Sequence, residues 1–166
     1  MYRSIDDMLC ESFFIKNTLI MGKSNSARIE EWIKSRGVVD RSKSGLSQHD
    51  IHANSALLLN RVEHILNDIE WTLVNAEYGY DMSGIIDLTN YVLDRDSYIK
   101  PLECDALLEY LFTRNKTYIQ LQDKFDWHKG TVRRKIKHVN RIINKLHYDC
   151  IAKLEVSMQD IIVNIL

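Results

Sequence analysis

Residues 114–147 gather ten basic side chains against two acids, Asp123 and Asp126, and add three histidines. The net +8 of this stretch leaves −9 on the rest of a chain whose total charge is −1. Residues 55–113 alone carry eleven acids and three bases, Arg61, Arg95 and Lys100. A balance near zero argues against a polyanion partner only until the charges are placed; here they are segregated. A short +8 segment has the electrostatics of a nucleic-acid site. Arginine pairs with guanine in a bidentate way, and lysine and backbone N–H groups bind phosphate.

Those side chains need elements to aim them. Thr117-Tyr118-Ile119-Gln120 has the T-x-x-Q shape of a capping box, which starts a helix. Tyr118, Leu121 and Phe125 give that short helix one apolar side. Asp126 tolerates the left-handed backbone of a tight turn better than most residues. Trp127 is apolar and is expected to plug the corner, and His128 to cap the next helix. Val132, Ile136, Val139, Ile143 and Leu146 then recur by four and three, predicting one buried face. Lys129, Thr131, Arg133, Arg134, Lys137, His138 and Arg141 fall largely on the others. A short helix, a tight turn and a longer basic helix make a helix-turn-helix, whose second helix enters the major groove of double-stranded DNA. Thr131, Arg133 and Arg134 are the expected base readers, and Lys116, Thr117, Lys129, Lys137 and Arg141 the expected phosphate contacts.

This segment resembles the helix-turn-helix of sigma factor region four, which reads T-[LY]-x-E-[IL]-A/G-x-x-[LF]-G-[VI]-S-x-x-x-V-R. Thr117, Leu121, Phe125, Trp127, His128, Val132 and Arg133 stand in the matching places. Gln122 replaces the small residue, Asp126 the glycine and His128 the serine. The order of features along the chain is similar to that of the phage antitermination protein Q family. Glu31-Trp32 comes first, then a polar linker, an Ala- and Leu-rich stretch opening with Asp50, and LLEYLF (107–112) before the basic motif. The resemblance implies binding to a DNA element near a late promoter, engagement of paused RNA polymerase with its sigma factor, and read-through of terminators. Residues 79–100 have no counterpart in that family and read as an insertion.

The wider chain of 166 residues is 45% hydrophobic and 27% charged, which excludes a wholly disordered chain and a disulfide-dense mini-protein. One proline and six glycines are too few for the turns of a sandwich or barrel. No run alternates convincingly as a strand, so the fold class is all-α, a helical bundle with a C-terminal helix-turn-helix. Helices are expected over 5–21, 27–35, from Ile51 unbroken to about Tyr78, over 84–93 with Ser83 as cap, over 101–112, and through the basic motif. Ser47-Gln48-His49-Asp50 is a capping signal for the third of these. The division that follows is 1–45 N-terminal helices and linker, 46–113 acidic helical region, 114–148 basic helix-turn-helix and 149–166 C-terminal helix. The apolar spacing continues through Cys150, Leu154, Met158, Ile161 and Ile165, which fits core packing, with the seam of a homodimer as the alternative. The acidic region is either a solvated face or a docking surface for a basic partner.

Other chemistry finds no support. Gly22-Lys23-Ser24 lacks the earlier glycine of a phosphate loop, since Asn17 stands there. His49/His52 and His147/Cys150 are pairs, not the four ligands of a structural zinc site. No nucleophile–base pair stands out, so neither an enzyme nor a cofactor or metal is expected. Three scattered cysteines, no signal peptide and no membrane-length apolar run fit a cytoplasmic protein of a bacterial host cell. Besides a transcription regulator, a dimeric repressor or activator, a small protein-binding inhibitor using the acidic face and an RNA-binding helical protein remain open.

Overall fold

The computed structural model describes residues 2–19, 47–96, 98–113 and 115–162. The helix expected over 27–35, most of the linker at 40–47 and Gly22-Lys23-Ser24 lie outside them. The described residues form seven helices: α1 (Ile5–Asn17), α2 (Gln48–Ile65), α3 (Asp68–Tyr78), α4 (Ile85–Leu93), α5 (Pro101–Thr113), α6 (Tyr118–Phe125) and α7 (Lys129–Ser157). The all-α class is therefore correct; the one β-type pairing among these residues is an isolated bridge between Tyr2 and Ile162.

Local chemistry explains most boundaries. The Ser47 hydroxyl accepts from the Asp50 N–H and the Asp50 carboxylate accepts from the Ser47 N–H, a complete capping box. α1 stops at Asn17, short of the expected 21, because Thr18 turns extended and its hydroxyl donates to the Phe14 carbonyl at 2.7 Å. The long helix expected from Ile51 to Tyr78 is two helices. Leu66 is extended, and Asn67 with Glu70 forms a second capping box that restarts the chain as α3. α4 has Gly84 as its N-cap with no side-chain cap; Ser83 instead donates its N–H to Asp81 at 2.9 Å.

α7 is the axis of the molecule. It packs on α1, α2, α3, α4, α5 and α6. Its buried positions Val132, Val139, Ile143, Leu146, Cys150 and Leu154 continue one stripe without a break, so no boundary falls at 148/149. Met158, just past the helix, is fully buried as well. These positions lie in the chain's own core. The core also draws Ile5, Met8, Leu9 and Phe13 of α1 and Cys104, Leu107 and Leu108 of α5. The ends meet where the Tyr2 N–H donates to the Ile161 carbonyl at 3.2 Å. No described helix is long and apolar enough to cross a membrane.

Candidate nucleic-acid interface

α6 begins as its sequence requires. Thr117 and Gln120 cap each other's backbone, and Leu121 is wholly buried between α6 and its neighbours α5 and α7. The corner is three residues long. Asp126 sits in left-handed backbone, φ 51° and ψ 46°. The N–H groups of Asp126 and Trp127 both donate to the Gln122 carbonyl. The Gln122 amide, where region four has a small residue, donates in turn to the Trp127 carbonyl at 3.3 Å. His128 caps α7: its Nδ1 accepts from the Gly130 N–H. The Tyr118 hydroxyl donates to the Lys129 carbonyl and ties the start of α6 to the start of α7.

Trp127 is half-buried and stacks on Phe125, with ring centroids 4.6 Å apart. Its other neighbour is a cation. Lys135 Nζ lies 4.6 Å from the Trp127 ring centre and 5.2 Å from that of Tyr98, and pairs with Glu103 on α5. Lys135 is therefore buried, a basic residue that the helix faces inward. On α7 it acts as a tether to α5 and the corner, and the charge counted for it in the sequence is not presented to solvent.

The remaining bases divide. Lys129, Arg133, Lys137 and Arg141 follow one another at intervals of four, and Arg134 stands beside them. All five are exposed, and none is ion-paired with a described residue. Spacing of four and three puts them on adjoining rows of one helix face. The structure thus brings together five of the eight residues singled out in the sequence. Thr131, two residues from Arg133 and so nearly opposite it on the helix, lies half-buried on the flank. Thr117 is exposed with its oxygen occupied by the cap, and Lys116 has its charge met by Glu109.

Sequence reasoning passed over three residues here, Lys145, Asn140 and Asn144. Lys145 is exposed four residues beyond Arg141 and lengthens the basic face. Asn140 and Asn144 are exposed seven residues after Arg133 and Lys137, on the same rows. His138, on the flank, pairs with Asp96 from the α4–α5 connection, joining the acidic region to the basic helix. The repeat of seven was the available signal for the two asparagines. Among the described residues no three His, Cys, Asp or Glu side chains converge as metal ligands. Comparison of the chain with models of known protein families and with curated proteins finds no match.

Proposed function

We propose that the chain is a DNA-binding transcription regulator whose α6–α7 unit works as a helix-turn-helix on double-stranded DNA. The observation that carries this reading is the exposed face of α7 on which Lys129, Arg133, Arg134, Lys137 and Arg141 converge behind a tight left-handed corner. In such a unit the N-terminal half of the second helix lies in the major groove. In this reading Arg133 and Arg134 pair with guanine edges, with Thr131 at the flank. Lys129, Lys137 and Arg141 serve as phosphate contacts. The role is one of binding, and no reaction is assigned.

The likeness to sigma factor region four and to the phage antitermination protein Q family narrows the proposal to a late-gene antiterminator that modifies RNA polymerase. The test is selection of bound sequences from random duplex DNA, repeated with RNA polymerase present. Enrichment of one motif by the protein alone, sharpened by polymerase, is expected. Failure to enrich any motif in either arm would overturn the reading and favour a protein-binding inhibitor.

A further inference from the structure

Beside the basic face of α7 lies a cleft of about 490 Å³, within the range of small-molecule sites. It is walled by the end of α3, the end of α5 and the middle of α7, and its chemistry is polar and aromatic. Asn140 and Asn144 contribute two amides that hydrogen-bond to no described side chain, and Thr113 a hydroxyl. Glu77 contributes a carboxylate that lies 3.5 Å from His147 Nε2, and Phe112 contributes a ring to the lining. Tyr80 completes the wall with a ring that is 68% exposed.

Tyr80 is held there at a cost. Its φ is 55°, a left-handed conformation that a bulky residue rarely takes. The position just past a helix cap is where glycine usually relieves this strain. The chain's glycine is one residue earlier, at Gly79, where a Cβ would come within 2.7 Å of the Asn75 carbonyl and 3.0 Å of the Phe13 ring. The Gly79 and Asp81 N–H groups both donate to that same carbonyl, at 2.9 and 3.1 Å, and fix Tyr80 between them. An aromatic side chain kept at a strained position, exposed, at the mouth of a cleft points from strain to use.

We infer that this cleft receives one unpaired nucleobase bearing an exocyclic amino group, stacked on Tyr80 and held by the amides of Asn140 and Asn144. Amides offer donor and acceptor together, the pairing asparagine makes with adenine. The Glu77 carboxylate accepts from an exocyclic amino group, where a thymine offers only its ring N3–H. Aromatic stacking is the usual platform for unpaired bases. Asn140 and Asn144 lie on the rows of Arg133 and Lys137, so a strand whose phosphates meet Lys137 and Arg141 runs past the mouth of the cleft. The separation along the helix is about 5–10 Å at 1.5 Å per residue. The inference rests on the DNA-binding reading and adds to it a preference for DNA with a locally opened strand.

The test uses the full chain and fluorescein-labelled short duplexes, fully paired or with a single bulged adenine or thymine. The wild type is expected to favour the adenine bulge over the paired duplex roughly ten-fold, and the thymine bulge much less. Tyr80→Gly removes the ring and relieves the strain, so it keeps the fold; it is expected to erase the preference and leave paired-duplex affinity unchanged. Equal wild-type affinity for bulged and paired duplexes overturns the inference and leaves the major-groove reading standing. Binding to the bulge but not to any paired duplex supports the cleft and removes the major-groove reading. Binding to none removes both.

Discussion

Lys135 shows how folding changes what a residue type means. In the sequence it is one more base in RRKIK (133–137); in the fold its ammonium is enclosed by Glu103, Trp127 and Tyr98. The side chains of Lys135 and Glu103 are 9% and 11% exposed, so removing either leaves a buried charge without its partner. Glu103→Leu is expected to destabilise the protein by about 3 kcal/mol, and Lys135→Met added to it to recover most of the loss. Urea unfolding of the two singles and the double checks this as a mutant cycle. The cysteines separate by the same logic. Burial raises the Cys104 thiol to about 11 and the Cys150 thiol to about 12, whereas Cys10 is exposed and is raised by partial burial and by Asp6 and Asp7 nearby. Only the thiolate reacts. One thiol is expected to alkylate in the native protein and all three in denaturant, counted by mass spectrometry.

At the scale of the element, the corner before α7 and the turn after α3 use one device in opposite ways. Both hold a non-glycine residue at positive φ, Asp126 at 51° and Tyr80 at 55°. Asp126 is a short polar residue that bears this conformation more easily than an aromatic one. Asp126→Gly and Tyr80→Gly are each expected to stabilise the fold by about 1 kcal/mol, with the larger gain at Tyr80, as read by thermal denaturation. Only the second is expected to alter bulge recognition. The capping boxes show what the sequence made legible. Ser47-x-x-Asp50 and Thr117-x-x-Gln120 announce α2 and α6 because each follows a polar stretch and precedes an apolar period. Asn67-x-x-Glu70 is chemically the same signal. It is hidden because Leu66, Ile69 and Leu73 keep the helical spacing across it, so periodicity alone carries the helix through a real break. The basic face of α7 was legible for the same reason that Lys135 was not. Spacing tells which residues share a face, and only packing tells that Trp127 and Glu103 draw one cation inward. The cleft was beyond reach, since α3, α5 and α7 meet there from distant parts of the chain.

For the molecule as a whole, the placement of charges acts on stability. Asp50, Asp81 and Asp160 are held below the ordinary carboxylate value, by the Ser47 cap, by the Ser83 backbone N–H and by Arg61. A depressed carboxylate contributes stability above its unfolded pKa and loses it as pH falls through the folded one. Glu77 is raised by burial, so its contribution has the opposite sign and is lost as pH rises. Three groups against one predict a melting temperature that falls on acidification below about pH 4. Asp160→Asn is expected to shallow that fall. α7 joins these matters to function, because it carries the core stripe on one side and the basic face on the other. Leu154→Ala is fully within the core and is expected to cost about 3 kcal/mol while leaving the basic face intact, a control for variants that merely unfold.

The central claim is that the outward face of α7 binds duplex DNA. It is tested most directly by the affinity of the wild type and of the Arg133→Ala/Arg134→Ala variant for a selected duplex across a range of salt. Each lost base contact is expected to cost roughly 1–3 kcal/mol and relax sequence preference. The wild-type affinity is expected to fall steeply with salt, by close to one power per phosphate contact. Unchanged duplex affinity in the variant at moderate salt would contradict the account.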